Sequence, residues 1–279
     1  MTVVEPHRGL AAVPSRAVLT AFGCRDDAVR LPGGEGRSWR SGAVVLKPVD
    51  DVRQVCWVAD ALRSIEPAGV VVPRPVPARD GAWVVDGWFA TEFIEDARHQ
   101  PRRWPDIIAA GRAFHAALEG VARPEWMDAA DDWWRRADQV AWEAREAAGD
   151  VQLVALVDRL RMLRTPVAQR EQIVHGDLCG NVLFDSAQRP VVIDFSPYWR
   201  PAEWASAIVG VDAFEWEGAG DEALHWLDGV PGGRQLLLRA AIYRIATSAE
   251  VAAARGLDDR KLVVHRATVE ALERLCREG

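Results

Sequence analysis

Residues 173–195 read IVHGDLCGNVLFDSAQRPVVIDF, and the fold is decided by how this stretch is read. Val182–Phe184 and residues 191–195 are short apolar runs of β-forming residues, and residues 185–190 between them are rich in turn formers. The pattern predicts a β-hairpin. Such a hairpin brings Asn181, just ahead of its first strand, near Asp194 at the end of its second. Asp177 sits in the loop before both. A single Asp or Asn at a turn needs only local hydrogen bonding to explain it. Two carboxylates and an amide in this order offer hard oxygen ligands of the kind Mg²⁺ prefers.

The stretch resembles the catalytic loop and metal-binding segment of the protein-kinase-like fold. The His175-Gly176-Asp177 wording is closer to its aminoglycoside phosphotransferase and small-molecule kinase branch. The resemblance implies an α+β, two-lobe architecture. A small β-rich N-lobe is expected over residues 1–93 and a larger, mostly helical C-lobe over 94–279. It also implies Asp177 as catalytic base, with Asn181 and Asp194 as ligands of Mg²⁺. His175 is expected to brace the loop through hydrogen bonds. Leu178, Cys179 and Gly180 separate Asp177 from Asn181, one residue fewer than in the protein-kinase pattern. Ser196 stands where protein kinases have the glycine after Asp-Phe.

Working outward toward the N-terminus, Gly33, Gly34 and Gly36 form a flexible turn ahead of a predicted strand over 43–49 that carries Lys47. Glycine lets backbone N–H groups approach phosphate oxygens closely, although the spacing is not G-x-G-x-x-G. The pair of features resembles the kinase hairpin that covers a nucleotide, and Lys47 would then reach the α- and β-phosphates. A strand-edge lysine in water is the plainer alternative. A helix is predicted over 50–64. In the kinase fold this helix carries a glutamate for the strand lysine. None lies inside it, which leaves Asp60 and Glu66 as open candidates. Further strands are predicted at 70–72, 74–77 and 82–85. By the resemblance, the backbone of Thr91, Glu92 and Phe93 receives adenine, and the chain passes there into the larger lobe.

The rest reads as helical: 104–119, parts of 124–148, 151–163, a helix from about Ala202, then 221–228, 234–252 and 258–277. Ser15 is predicted to cap a short helix that Gly23 ends. Trp126, Trp133, Trp134 and Trp142 suit a core, or a wall of an acceptor pocket. Asp212, Glu215, Glu217, Asp221 and Glu222 suit a solvated face, or one facing a cationic acceptor. Lys47 and Asp177 lie 130 positions apart, a separation similar to that in aminoglycoside-type enzymes and longer than protein kinases need. The short passage from Asp194 to the next helix leaves no segment for phosphorylation to order.

Composition bounds the reading. The chain has 279 residues, 49% hydrophobic and 27% charged, with a net charge of −7 that speaks against coating nucleic acid. The four cysteines are scattered, which points away from structural zinc and toward a reducing cytoplasm. No apolar run approaches the ~20 residues needed to span a membrane, and no signal peptide is recognisable. Lysine is nearly absent: Lys47 and Lys261 stand among 34 basic residues that are otherwise arginine.

The resemblance implies ATP- and Mg²⁺-dependent transfer of a γ-phosphoryl group to a hydroxyl of a small-molecule acceptor. The alternative is a nucleotide-binding pseudokinase acting as scaffold or sensor, suggested by the short Asp177–Asn181 loop and the missing helix glutamate. The acceptor itself is not legible in the sequence.

Overall fold

The computed structural model describes residues 13–32 and 36–277. The chain divides into two compact units. One takes the chain as far as His99 and also Val182–Phe195; the other takes Gln100–Asn181 and the chain from Ser196 onward.

In the first unit, helix α1 (Arg16–Ala21) begins where the Ser15 hydroxyl accepts the Val18 N–H, and the chain turns away at Gly23, φ +74°. Strands β1 (Val29–Arg30), β2 (Trp39–Ser41), β3 (Val44–Pro48), β4 (Val84–Val85) and β5 (Trp88–Glu92) form an antiparallel sheet in the order β1-β2-β3-β5-β4. Successive side chains on a strand point to opposite faces. Leu46 therefore joins Val18, Leu19, Phe22, Trp88 and Ala90 in the core, and Lys47 takes the other face. Helix α2 (Val52–Ser64) follows, its first N–H groups capped by Asp51.

The predicted strands at 70–72 and 74–77 are not ladder strands. They make only single bridges, Val71 to Val191 and Pro75 to Thr91. Pro73, Pro75 and Pro77 lack the N–H donors a ladder needs. The hairpin forms as expected, with Val182–Phe184 antiparallel to Pro190–Val192. It is stitched to the first unit on both sides: Val71 N–H donates to Pro190, Val192 N–H to Val71, and Arg98 and Phe184 exchange backbone bonds. The second strand stops at Val192, short of the predicted 195. Asp194 takes a left-handed backbone, φ +52°, which ends the extended run.

The second unit holds α3 (Trp104–Ala117), α4 (Trp126–Ala129), α5 (Trp133–Ala141), α6 (Val151–Arg161), α7 (Ala202–Trp216), α8 (Gly233–Arg255) and α9 (Asp259–Arg277). Trp204, Ile208 and Val211 of α7 pack with Leu237, Ala241 and Tyr243 of α8 and Leu153 and Leu160 of α6. Residues 204–213 are all buried, so α7 is wrapped on every side. Sequence reading missed a strand pair, Glu171–His175 antiparallel to Pro197–Pro201, because both runs are short and one is bounded by prolines. This pair positions the Asp177 loop. Gly176 N–H donates to Ser196 at 3.0 Å, and a Cβ on Gly176 would stand 2.3 Å from the Tyr198 ring.

Gly176→Ala should therefore cost about 1–3 kcal/mol through overpacking, read as a lower urea midpoint. An unchanged midpoint would show that Tyr198 does not hold this glycine.

Candidate active site

In the first unit Lys47 is the centre of charge. Its ammonium is in direct contact with the Asp194 carboxylate. Strand β3 aims the side chain away from the α1 core, and the left-handed turn at Asp194 brings the carboxylate to it. Burial lowers Lys47 from the ordinary lysine value to about 8. The neighbouring carboxylate favours the charged form. Neither Asp60 nor Glu66 takes the glutamate's place: Asp60 accepts from Trp83 Nε1 at 3.1 Å, and Glu66 is highly exposed, 3.9 Å from Arg74. The partner of Lys47 is Asp194.

The other predicted nucleotide contacts fare differently. Gly33 and Gly34 lie outside the described residues. Gly36 has φ +65°, and its carbonyl accepts from Arg30 Nε at 2.6 Å. Thr91 and Glu92 are the last two residues of β5, and Phe93 follows it. However, Glu92 N–H donates to Arg74 and Phe93 N–H to Ala43. Those two donors are committed within the sheet and its flank, so the expectation of exposed backbone donors is corrected there.

In the second unit the Asp177 loop is built from the strand pair. Asp177 N–H donates to His175 Nδ1 at 3.2 Å, and His175 N–H donates to His115 Nε2 at 3.0 Å. Both imidazoles are buried. Burial, then the neighbouring His175, pulls His115 down to about 3, so it stays neutral and accepts. His175 braces the loop, as expected. The shortened loop still closes, because Asn181 N–H donates to Leu178 across Gly180, φ +81°. Asn181 Nδ2 then donates to the Asp177 carbonyl at 2.8 Å and to its Oδ2 at 3.0 Å. The Asn181 amide oxygen has no hydrogen-bond partner among the described residues.

The other carboxylate oxygen of Asp177 accepts from Arg244 Nη2 at 2.9 Å. Arg244 also binds Asp212 through two hydrogen bonds, 2.7 Å from Nε and 2.5 Å from Nη2. Burial raises Asp212 to about 6 against the pull of Arg244, and the two carboxylates drive the guanidinium well above its usual value. Removing one partner of such a buried set costs about 3–5 kcal/mol, because it strands the others.

Sequence reading missed Arg244. A signal was present, since Arg244 interrupts the apolar run of α8. Asp212 and Glu215 are not on a solvated face. They lie inside α7, where Glu215 is bonded to His265 at 2.9 Å and Thr268 at 2.7 Å. Asp221 and Glu222 are exposed, as expected of solvated acids. Trp126 is buried, and Trp142 packs edge-on to Trp204.

Among the described residues no cluster of three His, Cys, Asp or Glu could hold a metal unaided. No helix of the described residues is long and apolar enough to cross a membrane.

No curated protein sequence matches the chain. Solved structures that share its fold include a choline/ethanolamine kinase family protein from Mesorhizobium loti, 17% identical, TM-score 0.60, covering 95% of this chain and 98% of that one. A thermostable mutant of aminoglycoside phosphotransferase APH(4)-Ia, in ternary complex with AMP-PNP and hygromycin B, is 14% identical with TM-score 0.57, covering 92% and 97%. Spectinomycin phosphotransferase APH(9)-Ia, in complex with AMP, is 11% identical with TM-score 0.56, covering 93% and 92%. The fold is therefore that of the aminoglycoside-phosphotransferase and kinase-like proteins. The model of the phosphotransferase enzyme family (APH) matches residues 37–198, more than half the chain and all of the span from Lys47 to Asp194. On that match, the chain belongs to the phosphotransferase enzyme family.

Proposed function

We propose that this protein transfers the γ-phosphoryl group of ATP to a hydroxyl of a small-molecule acceptor. The observation that carries the reading is the Lys47–Asp194 contact: a strand lysine and a carboxylate beyond the hairpin, placed together as a triphosphate and its metal would need them. Phosphoryl transfer asks mainly for alignment and charge neutralisation, which such groups supply.

Lys47 holds the α- and β-phosphates. By the resemblance read in the sequence, the glycine-rich segment of Gly33, Gly34 and Gly36 would offer N–H groups to the triphosphate, and adenine would meet backbone groups of the Thr91–Phe93 segment other than the Glu92 and Phe93 N–H donors. Asp194 and Asn181 are the residues that would each offer an oxygen to Mg²⁺. Bound magnesium would neutralise charge on the phosphates. Asp177 accepts the proton of the acceptor hydroxyl as its oxygen bonds to the γ-phosphorus and the bond to the bridging oxygen breaks, leaving ADP. Asn181 and Arg244 fix the Asp177 carboxylate for that task from either side.

The pseudokinase alternative rested on the short loop and the missing helix glutamate. The loop nonetheless closes with Asn181 bonded to Asp177, and Lys47 has a carboxylate partner, which supports the enzyme reading. ATP consumption over a panel of hydroxylated compounds separates the two. Binding of MgATP with no turnover on any acceptor would favour the scaffold.

Two outcomes follow from the roles assigned. Asp177→Asn should lower turnover by about 10²–10⁴-fold while MgATP affinity, read by calorimetry, stays near wild type. Equal turnover would remove the base role. The second concerns pH. Lys47 must be charged to grip phosphate, and its value in the free protein is about 8. MgATP affinity should thus be full below pH 8 and weaken above it by up to about tenfold per pH unit. Lys47→Met should bind weakly with no such slope, and a slope that persists in that variant would assign it to another group.

A further inference from the structure

Within the second unit lies a cavity of about 450 Å³, in the size range of small-ligand sites. It begins at Cys179 and Gly180 of the Asp177 loop and is walled by Asp212, Glu217, Arg244 and Lys261. Two acids and two bases face it, so it has no acidic excess to attract a polycation.

Hydrogen bonding sharpens the balance. Both oxygens of Asp212 are taken by Arg244, and Glu217 accepts from Trp104 Nε1. Arg244 uses Nε and Nη2 on Asp212 and Asp177, which leaves Nη1 without a hydrogen-bond partner among the described residues. The Lys261 ammonium likewise has none there, although Lys261 N–H helps start α9 by donating to Asp258. The charged donors left over among the lining side chains therefore sit on Arg244 and Lys261. In a chain whose basic residues are otherwise arginine, both lysines stand at sites: Lys47 beside Asp194 and Lys261 here.

Resting on the phosphotransferase reading above, we propose that the acceptor is a hydroxylated carboxylic acid whose carboxylate is received by Arg244 Nη1 and Lys261. Arg244 would then be a specificity-determining residue as well as the brace of Asp177. One guanidinium would fix both the carboxylate of the acceptor and the carboxylate that takes the hydroxyl proton. An arginine presents several donors in a rigid plane, which suits this double duty better than a lysine would. The free oxygen of Glu217 tolerates an ammonium on the same molecule, so a hydroxylated amino acid fits the class.

The test uses matched pairs that differ by the carboxylate: gluconate against sorbitol, glycerate against glycerol, and serine against ethanolamine, with hygromycin B as a polycation. With ATP and Mg²⁺, kcat/KM for the acid should exceed that for its partner by at least about tenfold. Lys261→Met keeps the apolar stem on an exposed helix position, and it should erase most of that preference by raising KM for the acid. Lys261→Glu should reverse it. Sorbitol, ethanolamine or hygromycin B turned over as well as the acids would overturn the proposal, as would a preference that survives Lys261→Glu. If no acceptor is phosphorylated, gluconate titrated into protein saturated with Mg-AMP-PNP decides the matter, and absence of binding overturns it. The broader reading fails separately, if Asp177→Asn turns over ATP as well as wild type does.

Discussion

A lysine ammonium, carried on the polar face of a sheet and partly shut off from water, must have an anion beside it. In the first unit that anion is Asp194. Desolvation alone would push Lys47 toward neutrality, and the carboxylate opposes that push. The sheet register, the pairing of β3 with β5 and the stitching of the hairpin to Val71 and Arg98 all serve to keep these two groups in contact. The cost is local: a non-glycine residue held at φ +52°, of the kind that gathers at functional sites. On the proposed reading, a polyphosphate with its metal would satisfy the same two groups, offering oxygens to the ammonium and a cation to the carboxylate.

The second unit solves a related problem with the signs exchanged. There the buried cation is Arg244, and two carboxylates, Asp177 and Asp212, neutralise it. Asp177 is thereby held at both oxygens, by Arg244 and by Asn181, before any ligand arrives. Catalysis by preorganisation requires this kind of fixity, since a carboxylate free to rotate must be ordered at the moment of reaction. The packing beneath is tight. Gly176 admits the Tyr198 ring, and a Cβ on Gly111 would stand 2.5 Å from a methyl of Leu178, so the loop rests directly on α3.

Much of this was legible in one dimension. The hairpin, Lys47 on its strand, the Asp51-capped helix and the long C-terminal helices all follow from local pattern, because apolar periodicity and turn chemistry are local properties. The exact end of the second hairpin strand was not, since a positive φ at an aspartate leaves no sequence mark. The 70–77 segment looks like strands in the sequence, whereas its three prolines remove the donors that pairing needs. For the acids of α7 the sequence leaves a solvated face or one toward an acceptor open, and it carries no mark of burial. They are buried because that helix is apolar all round and their partners, Arg244 and His265, come from α8 and α9, 32 and 50 positions away in the chain. Long-range charge pairing of that sort is invisible until the helices are packed.

The central claim is that Lys47 and Asp194 are placed for one triphosphate and its metal. A crystal structure of the complex with Mg-AMP-PNP tests it most directly. The account predicts that Lys47 leaves Asp194 for the α- and β-phosphate oxygens while Asp194 binds the magnesium ion. Nucleotide bound elsewhere, with the Lys47–Asp194 pair intact, would contradict it.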